Sequence, residues 1–493
     1  MTPTSTTDRG PVICVSDGRE STAEQITIPI RAALRVTGVT AALFIYFLFE
    51  FPQYLAGNVK YAAMLVLSIA LMGTLTMLCF ESHSVRTIAA AYSAREALGR
   101  RIVILVLIAL ASLTHLNRAL LDHHIYFQAR IVPLPLTPAT LAVWGAFTAV
   151  CATLLVKLPR TNTPILALAL IWGIVIRGMA LSFVPFNPKD ADMLVAVNGA
   201  CEAVLRGINP YTQTFTVDQS QSFPLIYFPL LWIPYLPLKA IGLDIRWLSV
   251  LAQIGMFAVY WGILGRRSRT DTASAFVLVF LILLPDMVFS VFYRQLSLYW
   301  LLGATYLWLV WRERWNLALF AVAGLAATRV TAFTVLWLHL LYIWKRRGIR
   351  TAIAHGIVAA AGFVLLLTPF LGAGLERFRY VFFDRFIEKT SEIGWERALY
   401  ALSVGGVLER IGLQSLLVPL QATGVLVIGV LYILSRDRSY TMFARLTVLT
   451  YAYFLWVSGF IYIYYWVFPL VLLCTLYCIQ RRERGADTDK DHD

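Results

Sequence analysis

The chain of 493 residues is 59% apolar and only 14% charged, with a mean hydropathy of +0.70, where a soluble domain carries about 25% charged residues. That leaves too little polar surface for the roughly three soluble domains this length would otherwise make. It also excludes disordered and collagen-like chains and, with only 6 Cys, a disulfide scaffold. The net charge of +14 would suit nucleic acid, but the basic clusters fall at the ends of apolar runs, the pattern of cytoplasmic flanks in a membrane protein. A polytopic membrane protein that does not bind nucleic acid is expected.

In chain order, residues 1–29 read as a polar, solvated and disordered cytoplasmic tail with no cleavable signal peptide. Apolar runs of spanning length near 31–50, 61–80, 102–121 and 139–157 make a four-helix membrane extension over 30–158, to which no role attaches. The main membrane domain, 159–480, starts with a run near 164–185. It continues near 245–265, 273–292, 296–312, 315–328, 330–344, 351–371, 414–434, 441–459 and 462–479. The expected fold is an all-α bundle of about fourteen transmembrane helices, closed by a cytoplasmic tail over 481–493.

The stretch 225–243 is apolar as well, but Pro229, Pro234 and Pro237 follow Pro224 there. Each proline removes a backbone donor that lipid does not replace, so the stretch is read as interfacial. On that reading the basic clusters at 31–35, 86–101, 157–160, 266–269, 312–314, 345–350, 436–445 and 481–484 share one side. The positive-inside rule makes that side cytoplasmic, together with both termini.

Two long segments then lie outside, 186–244 and 373–413, and loops of such length usually carry function or are disordered. In the first, Met193, Leu194, Val197, Ala200, Val204 and Leu205 recur at helical spacing, which predicts an amphipathic juxtamembrane helix from Ala191 to a stop at Gly207. Asp190 and Asp192 stand at its first turn. Two readings remain open for them: helix-capping carboxylates solvated by water, or a base at the lipid–water boundary that takes a proton from a hydroxyl. The second segment holds Arg377, Arg379, Arg385, Lys389 and Arg397 among aromatics and acids. They read either as a paired helix surface or as cations for a lipid phosphate.

Three further cations are oddly placed. Arg177 falls inside a predicted span, Arg294 opens YRQLSLYW at an outer helix end, and Arg329 sits in AATRVTAF at an outer turn. Charges at such places snorkel to phosphates or face partners in the interior; Arg177, the deepest, calls for an interior partner such as a carboxylate or a substrate. His339 and His355 are expected as hydrogen-bonded packing residues. Only Cys201 of the cysteines falls in an external loop, so no external disulfide is expected within one chain. No zinc spacing, Walker loop or Rossmann glycine pattern is present, so neither a metal nor a cofactor is expected.

Several motifs, in order, carry a family resemblance: Asp192-Met193-Leu194, Gly207-Ile208-Asn209-Pro210-Tyr211 and the proline-rich run from Phe223 to Leu230, followed by Arg294-Gln295-Leu296-Ser297-Leu298, Arg329 and the run from Tyr464 to Pro469. With these, residues 164–480 resemble the GT-C superfamily of membrane glycosyltransferases, most closely glycosyltransferase family 87 and its uncharacterised relatives. Arg329 stands where that family commonly has Lys, and FPLIYFP stands for a plainer Tyr-Pro-Pro. The resemblance implies inverting transfer of a hexosyl or pentosyl group, in the manner of a mannosyltransferase. The donor would be a polyprenyl-phosphate sugar, and the acceptor a hydroxyl of a lipid or glycan. It implies a plasma-membrane enzyme, most simply a monomer, acting on the external face. Asp192 inherits the general-base role, with Asp190 as its substitute. Donor-phosphate contacts fall to Arg329, Arg294, Arg377, Arg379 and Lys389, and acceptor or sugar contacts to Asn209, Tyr211, Tyr227, Gln295 and Tyr465. The rival readings are a multi-pass transporter or lipid flippase, and a non-catalytic membrane assembly factor. Against a transporter stand the lack of an internal repeat and of central charges other than Arg177.

Overall fold

The computed structural model describes residues 66, 69, 70, 72–74, 163–183, 192–218, 221–268, 272–282, 284, 287, 288, 290, 291, 294–380, 384, 403–458 and 463–490. The expected 30–158 extension lies almost wholly outside these, although Met72 is buried in the main core.

Helix α1 (Thr163–Phe183) opens with Pro164 in its first turn, where a missing N–H costs nothing. An outer layer follows: α2 (Asp192–Leu205), a two-stranded antiparallel sheet of β1 (Thr214–Asp218) and β2 (Gln221–Pro224), then α3 (Pro229–Trp232), a 3-10 turn, and α4 (Leu236–Ala240). The prolines have broken 225–243 into pieces, and none is long enough to cross a bilayer. The bundle resumes with α5 (Trp247–Ser268), kinked at Gly265, and α6 (Thr272–Ile282).

The expected single run at 273–292 is not one helix. Pro285 follows three residues after Ile282, and a proline ring clashes with the carbonyl four residues back. Further helices are α7 (Ser297–Trp311), α8 (Trp315–Ala326), α9 (Phe333–Arg347), α10 (Ile349–Leu367), the short α11 (Leu375–Arg379) and α12 (Val404–Arg410), then α13 (Leu417–Leu434), α14 (Tyr440–Trp456) and α15 (Val467–Lys490).

Among the described residues, three helices are long and apolar enough to cross a membrane: Trp247–Gly265, Ile349–Gly372 and Gln414–Leu434. They mark a membrane protein by length and composition. The fourteen spans expected from apolar runs are not confirmed: four of those runs lie almost wholly outside the described residues, and several others yield shorter helices; α7 and α9 have 15 residues and α8 has 12. At 1.5 Å per residue, 15 residues cover about 22 Å of the roughly 30 Å hydrocarbon layer. On α10 and α13 large apolar side chains face outward, as with Leu365 (72% exposed) and Leu434 (73%), the exposure a helix facing lipid would show.

One end of the bundle gathers a group of basic residues. Arg346 pairs with Glu313 at 3.4 Å and Arg347 lies over Trp315. Lys345 donates to the carbonyls of Tyr432, Ser435 and Asp437 at the close of α13. Arg482 donates to the Gly262 and Ile263 carbonyls of α5. The opposite end carries the outer layer.

Candidate functional site

The outer layer is built on α2. Leu194, Val197, Ala200 and Cys201 on one face of it are fully buried, while Leu205 near its end is half exposed. The helix stops as its sequence predicts. Gly207 takes φ +72, its N–H donates to Val204 O at 2.9 Å, and Ile208 N–H donates to Ala203 O at 2.8 Å, the paired bonds of a Schellman cap that only an αL residue permits. Burial pushes the Cys201 thiol up to about 12, so it stays protonated and inert, and its S–H points at the Trp232 carbonyl.

Asn209 then closes the turn in both directions. Its side-chain oxygen accepts from Tyr211 N–H at 3.1 Å and its amide donates to Phe370 O at 2.8 Å. The Tyr211 hydroxyl donates to Tyr227 O at 2.7 Å and accepts from the Trp232 indole at 3.2 Å, with the ring against Phe370 and Phe378. Arg377 Nε donates to Tyr211 O at 3.2 Å. Asn209, Tyr211, Tyr227 and Arg377, placed by the resemblance in two different subsites, therefore meet in one packed knot that joins the outer layer to the end of α10.

Glu202 on α2 pairs with Lys239 on α4 at 2.7 Å. The hydrogen bond from Lys239 holds the Glu202 carboxyl below its ordinary 4.5. A depressed carboxylate contributes stability above the unfolded value and loses it as pH falls through the folded value. We therefore expect the α2–α4 clasp to loosen below about pH 4.5, by no more than about 1 kcal/mol because both groups are partly solvated. Proteolysis of the 206–240 region followed from pH 7 to pH 4 checks this, and Glu202→Gln should flatten the profile.

At the end of the bundle under this layer, the chain converges on Arg329. Its guanidinium sits 4.9 Å from the Tyr465 ring centroid. Two residues on, Thr331 shares a hydrogen bond of 3.0 Å with the Tyr451 hydroxyl, which in turn accepts from Tyr299 at 2.7 Å. Phe468 packs on both tyrosine rings, 4.1 Å from Tyr299 and 4.6 Å from Tyr451. Arg329 lies within electrostatic reach of both hydroxyls. Five elements thus supply one site: the first turn of α7, the 3-10 turn Val330–Ala332, the later part of α14, the 3-10 turn Ile463–Trp466 and the start of α15. Val330 packs on the core of the outer layer, and Tyr227 packs on both that core and the bundle's. Gln295, just ahead of α7, is fully buried, and neither atom of its carboxamide has a hydrogen-bond partner among the described residues.

Arg177 does have interior partners, and among the described residues none of them is a carboxylate. Nε donates to Gln253 Oε1 at 2.7 Å, Nη1 to Gly173 O at 2.8 Å and Nη2 to Ile282 O at 2.9 Å. The broken end of α6 frees the Ile282 carbonyl for this, and Gly173 lets it approach; a Cβ at Gly173 would lie 2.5 Å from the Ile282 side chain. Gln253 holds the junction, donating to Met287 O at 2.7 Å and to Ser297 Oγ at 2.9 Å. Gln253→Leu would strand all three partners, one of them charged. A loss of about 3 kcal/mol or more is expected, read as a fall in the thermal midpoint of the purified protein.

Of the other residues singled out in the sequence, Arg379 is 77% exposed and pairs with Asp384 at 3.3 Å, the surface pairing held open above. Arg294 precedes α7 and is partly buried. Asp192 is the first residue of α2, but its side chain, with Asp190, Lys389, Arg385 and Arg397, lies outside the described residues. His339 and His355 are hydrogen-bonded to each other at 3.1 Å, and His339 also to Tyr306, as packing residues should be. Sequence reasoning missed Tyr299, Tyr451, Thr331 and Gln253, and the hairpin of β1 and β2; only the β-branched and aromatic residues of TFTVD signalled the last. No cluster of His, Cys, Asp or Glu among the described residues is arranged to hold a metal ion. No family model, curated protein or solved structure matches the chain.

Proposed function

We propose that this chain is a polytopic membrane glycosyltransferase of the GT-C type, with about fourteen spans, most similar in its motifs to family 87. It transfers a sugar from a polyprenyl-phosphate donor to a hydroxyl of a lipid or glycan. The end of the bundle bearing Arg329 is external, and the end gathering Lys345, Arg346, Arg347, Arg481 and Arg482 is cytoplasmic. The observation that carries the reading is the cluster of Arg329, Tyr465, Thr331, Tyr451 and Tyr299 beneath the layer that Asp192 opens.

In this reaction the acceptor oxygen attacks the anomeric carbon as the bond from that carbon to the phosphate oxygen breaks, with inversion. Asp192 takes the acceptor's proton, and polyprenyl phosphate leaves with the electron pair. Arg329 stabilises the charge that develops on the leaving oxygen, the interaction that lowers such a barrier most. The tyrosine–threonine hydrogen-bond chain holds the turn that presents Arg329, so little reorganisation is needed at the moment of reaction. Arg177 also favours a transferase over a transporter, since its bonds to two carbonyls and a carboxamide fix it in place.

The test is incubation of the purified protein in lipid with a panel of radiolabelled polyprenyl-phosphate sugars. Label leaving the lipid for a hydroxyl acceptor supports the proposal. Retention of every label on its lipid, with acceptors of both classes present, overturns it.

A further inference from the structure

The turn between α13 and α14 is held by hydrogen bonds in which neither of its arginine side chains takes part. Lys345, near the end of α9, donates to the carbonyls of Tyr432, Ser435 and Asp437 at 2.6, 2.8 and 3.0 Å, and its ammonium lies 4.3 Å from the Tyr432 ring centroid. Within the turn, Ser435 Oγ accepts from Asp437 N–H at 3.1 Å and Asp437 Oδ1 accepts from Ser439 N–H at 2.7 Å. Ser439 Oγ then caps α14, accepting from Met442 N–H at 3.1 Å. Lys345 thus occupies the carbonyls at the close of α13 that would otherwise attract a cation. Arg436 and Arg438 stand exposed on either side of Asp437, and neither forms an ion pair among the described residues. With Lys345 they set three cations against the one acid of the turn.

Next to Lys345 the surface becomes apolar. Trp337 and Trp344 lie seven residues apart on one face of α9, and both are exposed. α13 packs beside them at Gly429, where a Cβ would lie 2.9 Å from the Trp337 indole nitrogen. Leu426 and Val430, to either side of that glycine in sequence, are about half exposed. The two indoles cover about 10 Å along α9, within the roughly 15 Å of hydrocarbon that one leaflet supplies. Because Trp344 directly precedes Lys345, the apolar patch ends where the cations begin. A chain of any lipid would cover the patch; the headgroup decides which lipid stays.

We propose that this end of α9 and α13 binds an anionic phospholipid of the adjoining leaflet. Arg436 and Arg438 hold its phosphate, and one acyl chain lies against Trp337, Trp344, Leu426 and Val430. A guanidinium suits the task, since its fork meets two phosphate oxygens and it is weakly hydrated. A zwitterionic lipid offers the same phosphate but brings its own cation, which the three positive charges repel. Basic positions at helix ends select anionic headgroups on these grounds. The site stands at the opposite end of the bundle from Arg329 and has no part in the sugar transfer proposed above.

The experiment titrates the purified full chain in detergent with phosphatidylglycerol, with phosphatidylcholine of the same acyl chains, and with glycerol 3-phosphate. Bound ligand is read by native mass spectrometry, and thermal midpoints are recorded alongside. The unaltered protein should hold phosphatidylglycerol about tenfold more tightly than phosphatidylcholine. Arg436→Gln with Arg438→Gln should weaken phosphatidylglycerol by about 10–30-fold, the effect of two cations near a lipid surface, while phosphatidylcholine binding and the lipid-free midpoint stay unchanged. Trp344→Ala should weaken both lipids. Arg314→Gln, which removes an exposed cation from the turn between α7 and α8, should weaken neither. Equal affinity for the two lipids, or an equal loss in Arg314→Gln, would reduce the arginines to unspecific flanking charge and overturn the site. Glycerol 3-phosphate held as tightly as phosphatidylglycerol would make the ligand a free anion and overturn it as well. None of these readings needs sugar transfer, so this site and the function proposed above stand or fall separately.

Discussion

Asp192→Asn is expected to reduce sugar transfer about 10²–10⁴-fold, the range a positioned general base contributes, while expression, membrane insertion and thermal midpoint stay as they were. The argument is geometric. Asp192 is the first residue of α2, and the apolar face behind it is buried from Leu194 to Cys201, so the start of the helix is anchored to the rest of the outer layer. That layer packs through Val330 and Tyr227 on the end of the bundle that presents Arg329. Asparagine keeps the shape and the capping oxygen but cannot accept a proton, so a role confined to capping predicts full activity. Asp190 supplies the control, since Asp190→Asn should have a much smaller effect. If the double variant still transfers sugar, neither carboxylate is the base. The measurement is initial rate on radiolabelled donor, with donor binding assayed separately to show that the loss lies in kcat.

Arg329→Gln is expected to lower kcat by about 10²–10³-fold, as the removal of a donor to a developing oxyanion does, and Arg329→Lys to restore only part of it. The guanidinium lies over the Tyr465 ring, 4.9 Å from its centroid, and a planar, forked cation can meet two phosphate oxygens where an ammonium meets one. Steady-state kinetics with a pre-formed donor distinguish the two. An effect on KM alone would mean that Arg329 binds the ground state and does not stabilise departure of the phosphate. Tyr451→Phe should give a smaller loss in the same direction, because it breaks both the 2.7 Å and 3.0 Å bonds that hold the turn after Arg329. An intact kcat in that variant would remove the positioning role of the tyrosine pair.

Much of the local structure was legible because local structure depends on neighbours in sequence. The apolar spacing from Met193 to Leu205 and the stop at Gly207 describe α2, since a 3.6-residue period and a left-handed glycine are properties of a short window. The prolines at 229, 234 and 237 foretold that 225–243 would not form a spanning helix. The hairpin of β1 and β2 was missed because five residues of mixed propensity, TFTVD, give too short a pattern to stand out in a helical protein. The break after Ile282 was in view at Pro285, yet the apolar run across it outweighed a single proline in the reading.

The sequence by itself determined that the chain is apolar enough for a membrane, where its basic residues cluster, and that Arg177 and Arg329 are cations in costly places. What those cations do was decided by tertiary structure alone. Gln253, the partner of Arg177, is 76 residues away, and Tyr299 and Tyr451, which brace the turn after Arg329, are separated from each other by 152. Composition and periodicity report how each segment meets lipid or water, because that free energy is summed residue by residue. A hydrogen bond between distant helices depends on their crossing and register, which only the packed bundle sets.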